Sequence, residues 1–198
     1  MNVAIFDYGT GNLHSLRKAI EAAGERASFV QDAHSAASSD ALVLPGVGAF
    51  GAAAARLARS GAELRDAIRS GLPTLGICLG MQLLFDASDE GGGHGLGVIP
   101  GRVRKMRARR LPQMGWNDVE TSPDPLFQAL PPLLAYYANS YIVRPAQPEC
   151  VIAWSEHGGE RFPAAVRSGS AVGVQFHPEK SGASGLQLIA NFLAGARR

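Results

Sequence analysis

Pro73-Thr-Leu-Gly-Ile-Cys-Leu-Gly-Met-Gln82 is an apolar run of strand length that reaches Cys78 and passes without a linker into helix formers, Leu79 to Phe85. A buried strand feeding straight into a helix is the repeating unit of a parallel sheet with helices on its faces. Towards the N-terminus the same alternation recurs. Asn2–Phe6 predicts a buried strand that ends in the turn Asp7-Tyr-Gly-Thr-Gly11. Residues 12–23 carry Leu13, Leu16, Ala19, Ile20 and Ala23 at helical spacing, and Gly24 closes the helix. Ala27–Val30 and Ala41–Leu44 predict strands, the second stopped by Pro45-Gly46, while 52–57 and 62–68 read as helix. Towards the C-terminus the pattern changes. Residues 98–103, 116–120, 134–143, 151–154, 164–167 and 171–176 read as successive strands, and 183–193 as a last helix. The expected fold is an α/β domain over residues 1–198. Its central sheet is mostly parallel with helices on both faces, and an antiparallel extension is added.

Composition bounds the rest. The chain has 198 residues, of which 46% are hydrophobic and 18% charged, a globular balance with enough length to bury a core. Nineteen Lys and Arg against seventeen Asp and Glu leave +2, too little to argue for nucleic acid or a membrane surface as partner. Two cysteines, Cys78 and Cys150, make neither a disulfide framework nor a cysteine zinc site. The start lacks the basic and apolar pattern of a signal peptide, and no apolar stretch has spanning length. These features predict a soluble cytoplasmic protein with no metal or cofactor.

The sharpest chemical feature is Cys78 between Gly76 and Gly80, at a predicted strand-to-helix turn. This is the nucleophile-elbow pattern with cysteine in place of serine. The displayed side chain needs a strained backbone, neighbours without Cβ let strand and helix close up, and a helix N-terminus favours thiolate. A thiol nucleophile needs a base. Among His14, His34, His94, His157 and His177, only His177 sits in a suggestive setting, Val174-Gln-Phe-His-Pro-Glu-Lys180. An extended chain with period two would put His177 and Glu179 on one side, so that Glu179 orients the imidazole as the third member of a triad. Each motif has a plainer alternative: a buried structural cysteine, as read for Cys150, and a surface turn at His-Pro-Glu.

Pro45-Gly-Val-Gly-Ala-Phe-Gly51 follows another predicted strand and can present backbone N–H groups to an oxyanion, although it also reads as an ordinary loop. Asp7-Tyr-Gly-Thr-Gly-Asn12 is not a dinucleotide fingerprint, because His14 stands where the third glycine belongs. Gly91 to Gly97 reads as a loop. Arg102, Arg104, Lys105, Arg107, Arg109 and Arg110 form a basic run, read as a solvated face or a partner-docking surface.

Gly76-Ile-Cys-Leu-Gly-Met-Gln82 with His177-Pro-Glu179 resembles the class I, or triad, glutamine amidotransferases. Asp7-Tyr-Gly-Thr-Gly-Asn-Leu13, Pro45-Gly-Val-Gly-Ala-Phe50, Gln113-Met-Gly-Trp-Asn117 and Asn139-Ser-Tyr141 narrow the likeness to the glutaminase subunits of imidazole glycerol phosphate synthases. The resemblance covers nearly the whole chain. It implies that Cys78 attacks the side-chain amide of glutamine, that His177 moves the proton and that Glu179 orients His177. It implies oxyanion donors at Val47, Gly48 and Leu79, and glutamine held by Gln82, Glu90, Ser140 and Tyr141. The ammonia would pass to a separate (β/α)₈-barrel cyclase subunit in a heterodimer of histidine biosynthesis. Asn12, Trp116, Asn117, Tyr136 and Lys180 would lie at the interface or the ammonia passage. Activation by the cyclase and its nucleotide is also implied, with a flip of the Val47–Gly48 peptide as a physical route. Gln113 and Asn139 depart from the pattern, since many members carry histidine there. The alternatives are the glutaminase subunit of another synthase (anthranilate, purine or pyridoxal phosphate), a free-standing cysteine hydrolase, and a silent binding module.

Overall fold

A computed structural model describes residues 1–9, 13–46, 48–58 and 61–197. The N-terminal half alternates as expected. Its elements are β1 (Asn2–Phe6), α1 (His14–Ala22), β2 (Arg26–Val30), α2 (Ala33–Ala37), β3 (Ala41–Leu44), α3 (Phe50–Leu57), α4 (Gly61–Arg69), β4 (Thr74–Ile77) and α5 (Leu79–Leu83). The remainder comprises β5 (Phe85–Ser88), β6 (Ile99–Lys105), β7 (Gln113–Thr121), β8 (Leu133–Asn139), β9 (Tyr141–Pro145), β10 (Val151–His157), β11 (Glu160–Ser168), β12 (Ala171–Val174) and α6 (Gly182–Ala196).

The main sheet runs β2-β1-β3-β4-β12-β11-β10-β7-β8. From β2 to β12 every pairing is parallel, with Leu42 opposite Thr74 and Val174 opposite Ile77. From β12 outward every pairing is antiparallel. The inner parallel strands β1, β3, β4 and β12 are buried on both faces because both faces are covered, whereas edge strand β2 is only partly buried. On β1, Val3 and Ile5 pack into a core shared with α1 and α6. Ala4 and Phe6 pack into a second core with α2, α3, α4 and the smaller sheet.

That smaller sheet, β5-β6-β9, was not foreseen. The single strand expected over 134–143 breaks at Ser140 into β8 on the large sheet and β9 on the small one. Met106 N–H donates to the Ser140 carbonyl at 2.9 Å, which ties the chain to the end of β6 there. The helix expected to reach Phe85 stops at Leu83, because Phe85 pairs with Ile99 as the start of β5. The strand expected over 171–176 ends at Val174. Helix α2 was also unforeseen; Asp32 caps it by accepting from Ser35 N–H at 2.8 Å. Among the described residues no helix is long and apolar enough to cross a membrane.

Candidate active site

Three adjacent strand ends, β3, β4 and β12, deliver the site at the carboxyl edge of the parallel sheet, where open α/β sheets bind ligands. Cys78 joins β4 to α5 with φ +48° and ψ −101°, a strained conformation for a residue with a Cβ. Its N–H donates to the Val174 carbonyl at 2.7 Å, and its carbonyl accepts from Gln82 N–H at 3.1 Å. Both flanking glycines are needed. A Cβ on Gly80 would lie 1.9 Å from the Leu44 carbonyl oxygen, and one on Gly76 would lie 2.7 Å from the Gly80 carbonyl. The elbow read from the sequence is therefore built by backbone contact. Gly46 completes the packing, since its Cβ would meet Cys78 Cβ at 2.8 Å and His177 Cε1 at 3.1 Å.

His177 follows β12 and is buried. Its ring is hydrogen-bonded to the Cys78 side chain, and Nδ1 lies 2.9 Å from Glu179 Oε1. Burial works against the imidazolium, but the bonds to Cys78 and Glu179 outweigh it and push the pKa up to about 9. The extended geometry expected for His177 and Glu179 is not what brings them together. Pro178–Lys180 forms a 3₁₀ turn, and the carboxylate returns to the ring through that turn.

The sulfur opens into a cavity of about 440 Å³. Gly46, Gly48, Leu79, Gln82, Glu90, Ser140, Tyr141 and Lys180 line it together with Cys78. Gly48 has φ +111°, a region that favours glycine. Val47 and Asn12 lie outside the described residues. Leu79 heads α5, where helix N–H groups have no intrahelical acceptor. Glu90 accepts from Phe50 N–H at 3.3 Å and places a carboxylate on the cavity wall, suited to an ammonium group.

The remaining expected residues stand elsewhere. Trp116 is 54% exposed on the outer side of β7 and packs edge-on against Tyr136 of β8 at 6.1 Å. Lys180 lies over the Tyr136 ring at 5.9 Å, between that surface and the cavity. Asn117 faces the other way and donates to the Glu156 carbonyl at 2.8 Å. His34 pairs with Glu63, and His157 contacts the Arg110 carbonyl. In the basic run Arg102 pairs with Asp89 at 2.5 Å. Cys150 is half-buried, and burial pushes its thiol up to about 11.

Sequence reading missed Gln175. It is fully buried, and its Nε2 lies 3.5 Å from Cys78 Sγ. The available signal was a polar side chain inside the apolar run ending in His177, because a buried amide must find partners. Asn139 was flagged only as a departure from the family pattern. It lines the cavity and sits opposite Gln113 in the β7–β8 register.

A nucleophile, an oriented base and helix-end N–H groups beside a polar cavity suit acyl transfer through a thioester. Comparison with known proteins points the same way. The family described as "Glutamine amidotransferase class-I" matches residues 4–196. A relative from Gloeothece citriformis, named "Imidazole glycerol phosphate synthase subunit HisH", is 44% identical over 96% of this chain and 94% of its own. One of the same name from Symbiobacterium thermophilum is 46% identical over 96% and 92%. Among solved structures, a glutamine amidotransferase superposes with TM-score 0.78 at 22% identity, covering 99% of both chains. PurLQS from Thermotoga maritima superposes with TM-score 0.77 at 18% identity, covering 98% of both chains. At these identities the two structures establish a shared fold.

Proposed function

The chain belongs to the class I glutamine amidotransferase family, and from that premise we propose that it is the glutaminase subunit of an imidazole glycerol phosphate synthase. Glutamine enters the cavity with its α-ammonium towards Glu90 and its side-chain amide over Cys78. The sulfur attacks the amide carbon, and the oxyanion is met by N–H groups from Leu79 and the Val47–Gly48 segment. His177 carries the thiol proton to the departing nitrogen, and ammonia leaves. Water then attacks the thioester and gives its proton to His177, which releases glutamate and frees the Cys78 sulfur beside the protonated ring. Gln82 and the 140–141 backbone hold the substrate, and Glu179 fixes the ring and supports its cation.

The single observation that carries this reading is the Cys78–His177–Glu179 constellation opening on a cavity with a carboxylate at one side. The acceptor of the ammonia is a separate (β/α)₈-barrel cyclase subunit, and the pair works as a heterodimer in the cytoplasm. Met114, Trp116 and Leu134 are exposed on the outer face of β7 and β8, and Tyr136 and Lys180 link that face to the cavity. An apolar exposed patch of this kind suits a protein partner.

The test is glutamate release from glutamine by the chain alone, with a cyclase subunit, and with cyclase plus its nucleotide ligand, using Cys78→Ala as control. Strong release only in the full mixture, lost in the variant, is the expected result. High release by the chain alone, indifferent to cyclase, would point to a free-standing amidase or another synthase. No release in any mixture would leave a binding module.

A further inference from the structure

We infer that Gln175 is the hydrogen-bond donor that holds the Cys78 sulfur as thiolate, the last link of an amide chain whose direction is set by a backbone carbonyl in the glutamine pocket. This rests on Cys78 being the nucleophile.

The chain begins at Tyr141. Its carbonyl oxygen accepts from Gln82 Nε2 at 3.1 Å and from Asn139 Nδ2 at 3.1 Å. A carbonyl can only accept, so the atom that Gln82 turns towards it must be the NH₂ group. That same Nε2 also reaches Gln175, at 3.3 Å. The Gln175 atom facing it must then be the acceptor Oε1. The other end of the Gln175 amide, facing Cys78 Sγ at 3.5 Å, is left as Nε2–H.

Amide oxygen and nitrogen are distinguished by their partners. Here the partners leave one arrangement: flipping either amide sets two acceptors or two donors against each other. Gln82 and Gln175 are both buried, so no bulk water can make good a wrong orientation. The sulfur therefore faces a fixed N–H donor on one side and the His177 ring on the other. A thiolate accepts from both. A thiol gains less from an N–H donor, so the arrangement favours the ionised form. The chain also couples two jobs. Gln82 and Tyr141, which line the glutamine cavity, set the polarity of the donor that serves the nucleophile.

The experiment follows the pH dependence of Cys78 alkylation by iodoacetamide, read by peptide mass spectrometry on the isolated chain without glutamine. Cys150 lies on a different peptide and serves as internal control. In Gln175→Met, of similar length but lacking the donor, the midpoint rises by about one pH unit, so alkylation below both midpoints slows about tenfold. Glutamine turnover by the same variant loses about tenfold in kcat with KM held within about twofold. A folded Gln175→Met with an unmoved midpoint overturns the proposal. If that variant does not fold, Gln82→Met decides. It frees the Gln175 amide to rotate, and the midpoint should rise by about half a unit. An unmoved midpoint there means that Gln82 serves substrate alone and the chain has no role at the sulfur. Because alkylation needs no glutamine, loss of the glutaminase reading and loss of this inference are separate outcomes.

Discussion

His177 carries the pH behaviour of the site. Its pKa is raised from 6.5 to about 9, since the bonds to Cys78 and Glu179 outweigh burial. A raised pKa means that the folded state holds a proton the unfolded chain releases. The stabilisation is therefore fully present below about pH 6.5 and is lost as pH rises through about 9. The same proton is what the departing ammonia needs. Glutaminase activity should fall along an alkaline limb near pH 9. In Glu179→Gln that limb should move to lower pH, with kcat down by about 10²–10⁴-fold. A pH–rate profile of both proteins checks this, and an alkaline limb unmoved in Glu179→Gln would remove Glu179 from the triad. Gly80 makes a purely steric prediction. Its Cβ would sit 1.9 Å from a backbone oxygen and 2.6 Å from the Leu44 carbonyl carbon, where no side chain can give way. Gly80→Ala should cost about 3 kcal/mol and lower Tm by roughly 6–10 °C, with loss of Cys78 reactivity.

Between residues and the whole molecule, the telling feature is how β8 grips the histidine turn. His177 N–H donates to the Tyr136 carbonyl at 2.8 Å, Tyr136 N–H donates to Ser181 Oγ at 3.0 Å, and Ser181 O–H donates to the His177 carbonyl at 2.7 Å. These bonds close a ring between a strand of the antiparallel half and the 3₁₀ turn that carries Glu179. Ser181 is buried, so Ser181→Ala leaves the Tyr136 N–H unpaired, while the His177 carbonyl keeps only its bond from Lys180 N–H at 3.0 Å, and the change should cost about 1–2 kcal/mol in chemical denaturation. Its kcat should drop more than its KM, because the base moves while the glutamine pocket stays. A fall in stability with kinetics untouched would make the ring structural only. Such tertiary ties explain what could be read from the sequence and what could not. β1, β3 and β4 were legible because each is an apolar run that ends at a turn residue, and the elbow because glycine spacing records a backbone contact. The passage from β8 to β9 was not legible. Leu134 to Val143 is interrupted only by Asn139-Ser140, two polar residues that one continuous strand can also carry, and the bond from Met106 that turns the chain into another sheet is 34 residues distant in sequence. The pairing of His177 with Glu179 was anticipated for the wrong local reason, since a tight turn and a strand both bring i and i+2 together.

At the scale of the whole molecule, the sheet changes character halfway across. From β1 to β12 both faces are covered by helices or the small sheet, and only edge strand β2 leaves a large apolar side chain, Phe29, exposed. Beyond β11 the outer face of β7 and β8 is uncovered, with Met114 65%, Trp116 54% and Leu134 48% exposed. The opposite edge is closed instead by charge. The N-terminal ammonium and Arg197 both bind the buried Glu25 carboxylate, with the ammonium bond first in holding it below the usual carboxylate range. The bare apolar face therefore lies on the half whose strand β8 touches the histidine turn, and a partner seated there would press on the elements that hold His177. Trp116 sits near the middle of that face, packed on Tyr136, which is itself under Lys180. Aromatic anchors at the centre of an interface commonly carry 2 kcal/mol or more. Trp116→Asp should weaken cyclase binding by at least about tenfold, equivalent to about 1.4 kcal/mol. The stimulation curve would shift to higher cyclase concentration. Thermal unfolding of the isolated chain is the control for folding, since an exposed side chain contributes little to the core. A stimulation curve that did not move in the folded variant would place the partner elsewhere, and the basic strand β6 would then be the next surface to alter.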